Sequence, residues 1–211
     1  VQQLLLEAVH ATGTPVVLVL VDGRPLAIRW AAEHVPAILH AWVPGQGGGV
    51  AVARVLFGDA VPGGKLPISI PRSVGQVPVF HYHKPSGGQS RWLGDYVEES
   101  SKPLFPFGFG LSYTEFEYSD LRLNRARVDS RGSIDISVRV RNVGSFAGDE
   151  VVQLYVRDRE ADVTRPVQEL VGFRRVHLRP GEGCTVTFTL YMSQLAFLNR
   201  GLRIGLVDET T

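Results

Sequence analysis

Leu104-Phe105-Pro106-Phe107-Gly108-Phe109-Gly110-Leu111-Ser112-Tyr113-Thr114-Glu115-Phe116 is the stretch on which the reading of this chain turns. Aromatics, glycines and a proline crowd into it without a helical or a strand period. Glycine admits backbone angles closed to other residues, and the rings need a dry surface. The stretch therefore reads as an extended connector, pinned by its aromatics against two neighbouring bodies.

The sequence changes character across it. Ahead lie apolar runs and glycine-ended helical runs. Residues 1–9 carry Val1, Leu4, Leu5, Ala8 and Val9 at helical spacing, which predicts an amphipathic helix. Residues 14–21 form a β-branched apolar run, as expected of a parallel strand covered on both faces. Asp22-Gly23-Arg24-Pro25 is a turn series, residues 31–35 suit a short helix, and 37–43 a second strand. Residues 50–57 read as a helix with Gly58 at its C-cap, and 66–70 as a short strand. Strand, loop, helix and strand at these spacings describe βαβ architecture. Residues 71–110 are rich in turn formers and read as a long ordered crossover. From Tyr118 onward the period becomes two: Ile134, Ile136, Val138 and Val140 alternate with Asp135, Ser137, Arg139 and Arg141. Further strands are expected at 151–156, 170–176 and 185–190, with turns at 142–144 and 179–183. That pattern predicts an antiparallel β-sandwich.

With 211 residues and 44% hydrophobic content, the chain can bury a core in one large domain or two small ones. A net charge of +1 gives no reason to expect nucleic acid or an anionic membrane as partner. The longest apolar stretch, residues 15–21, is far below membrane-spanning length. The single Cys184 excludes an internal disulfide and leaves the compartment open. There is no initiator Met and no signal-peptide pattern, and residues 201–207 begin a strand-like run that stops in polar residues. Both ends read as cut, so a fragment of something larger is expected.

Several short strings together resemble the C-terminal half of glycoside hydrolase family 3, the β-glucosidases and β-xylosidases. They include Gly23-Arg24-Pro25-Leu26, Ala41-Trp42-Val43-Pro44-Gly45-Gln46-Gly47-Gly48, Leu56-Phe57-Gly58-Asp59 and Pro62-Gly63-Gly64-Lys65-Leu66-Pro67. The aromatic connector, Gly148-Asp149-Glu150-Val151-Val152-Gln153-Leu154-Tyr155 and Glu169-Leu170-Val171-Gly172-Phe173 continue the match. The resemblance implies an α/β plus all-β fold: part of an α/β sandwich with a parallel sheet over residues 1–80, a crossover over 81–111, and a fibronectin type III-like antiparallel sandwich over 112–211. It implies a retaining β-glycosidase that removes terminal β-D-glucosyl or β-D-xylosyl residues without a cofactor or metal. Such enzymes use two carboxylates. In the family the nucleophilic Asp lies in an N-terminal (β/α)8 barrel and the acid/base Glu in a Ser-Gly-Glu-type string. No such string occurs here, so no catalytic residue is expected in this chain. Its partners would be a β-linked glycoside and the barrel of the same protein. A carbohydrate-binding or protein-interaction module without hydrolase activity is the alternative. An unrelated α/β hydrolase lacks a nucleophile motif here.

Other candidates carry less. Gly45 to Gly49 precede a helix, but Val50 stands where a dinucleotide fingerprint needs Gly and no Lys-Ser/Thr pair follows, so a tight turn is expected. Gly110-Leu111-Ser112-Tyr113-Thr114 lacks the second glycine of a serine elbow. His81 and His83 could face one metal on a strand, yet no carboxylate or Cys lies at ligand spacing. Asp149 and Glu150 would point to opposite faces of a strand and cannot form a carboxylate pair. Cys184 suits a small buried apolar role. Arg91, Trp92 and Asp95, in the loop 89–96, are the candidate substrate-binding set: an aromatic platform with planar polar groups for sugar hydroxyls. The same residues also fit a structural role, with Trp92 pinning the crossover and Arg91 paired to Asp95.

Overall fold

The computed structural model describes residues 1–76, 78–85, 99–159, 161, 163–198 and 204–205. Arg91, Trp92 and Asp95 lie outside the described residues.

The chain opens with α1 (Gln2–His10), β1 (Val17–Leu20), α2 (Arg29–His34), β2 (Ala37–His40) and α3 (Gly48–Leu56). Thr12 ends α1, its hydroxyl donating to the Val9 carbonyl at 2.8 Å. β1 and β2 pair in parallel, with Val17 opposite Ala37 and Leu20 opposite His40, and α2 makes the crossover. In α2 an Arg29–Glu33 pair spans one turn at 2.9 Å. Its one inward contact is Ala31, buried with the following Val35. α3 starts two residues earlier than the apolar pattern predicts and closes on Gly58, at φ 83°, whose N–H reaches the Val55 carbonyl. The expectation that β1 is covered on both faces fails within the described residues: none of its residues is buried, and α1 buries none either.

The strand expected over 66–70 is also absent as a strand. Leu66 and Ile70 instead exchange backbone hydrogen bonds with the aromatic connector. Leu66 N–H donates to the Phe109 carbonyl (2.7 Å), Gly108 N–H to Leu66 (2.8 Å), and Ile70 N–H to Phe105 (2.8 Å). Only Ile70–Phe105 has bridge geometry. The reason is that Pro67, Pro71 and Pro106 carry no N–H, so a continuous ladder cannot form. A 3-10 turn follows at Val74–Gln76.

The remainder is a β-sandwich. β3 (Phe116–Leu123), β4 (Ser133–Asn142) and β7 (Gly183–Tyr191) form one antiparallel sheet in the order β3-β4-β7. β5 (Gly148–Val156) pairs antiparallel with β6 (Glu169–Leu178). A 3-10 turn at Met192–Leu195 leads to a short pair, β8 (Phe197–Leu198) and β9 (Ile204–Gly205). The period-two reading decides which side of β4 is inside. Ile134, Ile136 and Val140 are buried, as are Val186 and Leu190 on β7. Two clusters close the space between the sheets: Ile134, Ile136, Leu190 and Leu195, then Val140, Val152, Leu178 and Val186. Each such side chain contributes about 1.5–3 kcal/mol by leaving water. Cys184 packs, partly buried, beside the second cluster. β3, an edge strand, carries a register shift between Ser119 and Arg122, where Asp120 sits at φ 51°. An irregular, charged edge resists pairing with another chain.

Asn142, fully buried at the end of β4, ties the connector to the sandwich. Its Oδ1 accepts from the Thr114 hydroxyl (2.7 Å) and Gly144 N–H (3.1 Å), and its Nδ2 donates to the carbonyls of Phe146 (2.7 Å) and Leu178 (2.9 Å). The side-chain amide thus makes all four of its hydrogen bonds.

Candidate functional site

The connector does lie between two bodies. β5 presents Gln153 and Tyr155 to it. Gly108, at φ 80°, comes so close that a Cβ there would collide with Gln153 Oε1 and sit 2.7 Å from the Tyr155 hydroxyl. Gln153 Nε2 donates to the Gly108 carbonyl (3.1 Å), and the Tyr155 hydroxyl donates to Gln153 Oε1 (2.5 Å). On the other side Lys65 Nζ donates to the Gly110 carbonyl and pairs with Glu150 at 3.0 Å, both side chains largely buried. Tyr118 donates to the second oxygen of Glu150 at 2.8 Å. Burial, reinforced by that carboxylate, pushes the Tyr118 hydroxyl well above its ordinary range. The Tyr113 hydroxyl donates to the Val55 carbonyl at the end of α3.

His81 stacks on Phe107 at 4.0 Å between centroids and meets Tyr155 edge-on. Burial holds its imidazole below the usual histidine range, and burial raises the Tyr155 hydroxyl. His83 Nδ1 contacts the Lys84 carbonyl, so the two histidines do not converge. Among the described residues no three His, Cys, Asp or Glu side chains could hold a metal. Val167 N–H donates to the His83 carbonyl and draws the β5–β6 loop over this end of the crossover. A cavity of about 170 Å³ opens there between Pro85 and the loop, lined by Asp158, Thr164 and Arg165. Arg165 is held by Glu169 (2.9 Å) and lies over the Phe197 ring, with its Nε 3.7 Å from Asp158 Oδ2. Pro85 is the last described residue before the loop that carries Arg91, Trp92 and Asp95.

The adjacent acids behave as their strand period requires. Asp149 faces outward between His177 (2.6 Å) and Arg175 (2.7 Å). The His177 hydrogen bond, then the Arg175 charge, hold its carboxyl below the ordinary range. Glu150 faces the opposite way, into the Lys65–Tyr118 pair. Both are committed to structural contacts.

A second constellation went unnoticed in the sequence. It sits at the carboxyl ends of the paired strands, where open parallel sheets bind ligands. Asp22, two residues past β1, and His40, the last residue of β2, meet at 3.1 Å. A carboxylate oxygen accepts, so His40 Nε2 donates, and Nδ1 has no hydrogen-bond partner among the described residues. The Asp22 Oδ1 atom also accepts from Arg24 N–H, while its Oδ2 is buried without a partner. Trp42 stacks on His40 at 3.8 Å between centroids, and its φ is 53°. A left-handed tryptophan costs on the order of 1–3 kcal/mol. The Gly45–Gly48 turn that follows is a tight turn into α3, with Gly48 N–H bonded to the Gly45 carbonyl. The signal available was position: Asp22 and His40 each close an apolar strand run.

With this geometry in place, the comparisons are decisive about family. Residues 1–113 match the glycosyl hydrolase family 3 C-terminal domain, and residues 150–205 a fibronectin type III-like domain. The chain belongs to glycosyl hydrolase family 3. It is 49% identical to a β-xylosidase of Formosa agariphila over 96% of its length and 28% of that protein's. It is 44% identical to a periplasmic β-glucosidase of Salmonella typhimurium, covering 96% of the chain and 27% of that protein. Its structure superposes on a β-glucosidase of Listeria innocua in complex with glucose, with TM-score 0.91, 36% identity, 97% of this chain and 29% of the other. The chain thus spans a little over a quarter of the length of these relatives. Among the described residues no helix is long and apolar enough to cross a membrane.

Proposed function

We propose that this chain is the C-terminal, scaffolding part of a retaining β-glycosidase that removes terminal β-D-glucosyl or β-D-xylosyl units. The observation that carries this is the family match over nearly the whole chain, with relatives named for those activities, combined with the commitment of the adjacent acids Asp149 and Glu150 to structural contacts. The nucleophile and the acid/base are supplied by a (β/α)8 barrel and an upstream part of the α/β domain in the longer protein. Residues 1–80 complete the α/β domain, 81–111 form the crossover, and 112–211 form the fibronectin type III-like domain. Arg91, Trp92 and Asp95 contribute a substrate-facing wall; this rests on their residue types, an aromatic platform with planar polar groups for sugar hydroxyls.

The test compares the 211-residue chain with the longer protein on an aryl β-glucoside and an aryl β-xyloside. The longer protein is expected to turn over at least one, and this chain neither, because removing both carboxylates forfeits most of the rate enhancement. Turnover by this chain, abolished by a point change within it, would overturn the assignment. For the loop, Trp92→Ala in the longer protein should raise KM more than it lowers Tm.

A further inference from the structure

Asp22, His40 and Trp42 are built as a unit for which the fold itself has no need. A strand-to-helix turn does not require a tryptophan, and glycine would adopt φ 53° without strain. Strain of this kind persists where the surroundings over-determine it, typically at ligand-binding positions. The surroundings here are specific. The His40 ring lies against the indole at an interplanar angle of 20°, and Asp22 Oδ1 fixes the imidazole by its Nε2. Asp22 N–H in turn donates to the Trp42 carbonyl at 3.1 Å, closing a loop of contacts across the two strand ends. The Asp22 and His40 side chains are largely buried, 13% and 11% exposed, and Trp42 is partly buried. With Nε2 engaged by Asp22, His40 Nδ1 has no partner among the described residues and is available to hydrogen-bond a ligand hydroxyl. Arg24, whose backbone N–H donates to Asp22 Oδ1, has no ion pair or side-chain hydrogen bond among the described residues.

We propose that the carboxyl edge of the β1–β2 pair is a pyranose-binding subsite of the glycosidase. Trp42 offers an apolar plane to the ring C–H groups, His40 Nδ1 and the Arg24 guanidinium hydrogen-bond to ring hydroxyls, and Asp22 is the positioning residue that locks the imidazole. A pyranose fits this set because it presents C–H bonds on its faces and hydroxyls, each donor and acceptor, around its rim. A phosphate fits it poorly: the neighbouring glycine turn has no Lys-Ser/Thr pair, and the Asp22 carboxylate lies beside the imidazole. The substrate class rests on the function proposed above.

Two measurements separate this inference from that function. First, the 211-residue chain is titrated with cellobiose while the His40 and Trp42 side-chain resonances are followed by NMR. Saturable millimolar shifts are expected at both. They should vanish in Trp42→Gly, and His40→Ala should weaken binding about tenfold, the worth of one good polar contact. Trp42→Gly suits the left-handed backbone, so it is expected to melt no lower than the parent, and lost binding then reports the missing ring. Absent shifts, or shifts retained in Trp42→Gly, overturn the subsite. Second, in the longer protein Trp42→Gly should raise KM for cellobiose about tenfold with kcat within about threefold, the signature of lost ground-state binding. An active enzyme whose KM does not move also overturns the subsite. A longer protein without β-glycosidase activity instead overturns the function, and the titration alone then decides the subsite.

Discussion

In the sandwich, Val140, Val152, Leu178 and Val186 are 2% exposed or less; in the helix and strand segment ahead of it, Leu4, Leu5, Val17 and Phe57 are between 52 and 84% exposed. The two regions have apolar strands of similar quality, so hydrophobicity does not separate them. Topology does. An antiparallel pair of sheets can fold its inner faces onto each other within one hundred residues, because hairpins return the chain at once. A parallel pair needs crossovers and cover on both faces, and here α2, the crossover between β1 and β2, buries only Ala31. The first region is therefore held from outside, by α3's contact with Tyr113 and by the Lys65–Glu150 pair, while the second is held from within.

The largest expected effect strikes the self-sufficient region. Asn142→Ala removes four hydrogen bonds and strands two buried partners, the Thr114 hydroxyl and the Leu178 carbonyl, at a cost on the order of 4 kcal/mol. Urea denaturation should show a midpoint falling steeply with little change in slope. A loss below about 1 kcal/mol would mean that water replaces the amide and that the sandwich does not depend on this node. Next comes the bond between regions. Lys65→Met leaves Glu150 with Tyr118 alone in a largely buried site and should cost about 3 kcal/mol. Hydrogen exchange gives the sharper readout: amides of β1 and β2 should lose protection while β4 and β7 keep theirs. Equal losses in both regions would erase the distinction drawn above.

A smaller effect is pH-dependent. The folded-state pKa of Asp149 lies below its unfolded value, so its ion pairs stabilise above the unfolded pKa and fade as pH falls through the folded one. Asp149→Asn should thus lower stability at neutral pH by about 0.5–1 kcal/mol given the exposed partners, and the gap to the parent should close below about pH 4. A gap that is independent of pH would assign the effect to packing. The smallest effect is expected on α1. Leu5→Lys should change the stability of this chain by less than about 0.5 kcal/mol, since nothing covers Leu5 here. The same change in the longer protein should cost more than about 1.5 kcal/mol if α1 is covered there by the remainder of the α/β domain. Equal tolerance in both would show α1 to be a solvated helix.

Much of this was legible from side-chain period. Ile134 to Val140 declared the inner face of β4, and the opposite fates of Asp149 and Glu150 follow from strand geometry alone. The connector was legible because its composition suits no regular element. The 66–70 segment misled because an apolar run outweighed Pro67 and Pro71, whose missing N–H groups decide that segment. The cover expected over β1 misled for a different reason: a run of apolar residues reports what a strand needs and is silent on what supplies it. The Asp22–His40–Trp42 unit depends on the parallel register that sets Leu20 beside His40, and on one backbone angle at Trp42. Neither has a local signature in sequence.

The amide of Asn142 also has a consequence in time. Its partners lie 28 residues before it and 2, 4 and 36 after it. The nearest, Gly144 and Phe146, close small loops cheaply, whereas Thr114 and Leu178 require long loops whose closure entropy is paid first. The side chain therefore completes its set only when the incoming connector and the returning β6 have both arrived. It works as a late checkpoint in assembly: a chain that has paired β4 with β7 but left the connector adrift keeps a buried amide unsatisfied and can reopen. A connector locked in last would be released first, and Asn142→Ala should then speed unfolding more than it slows folding in stopped-flow kinetics.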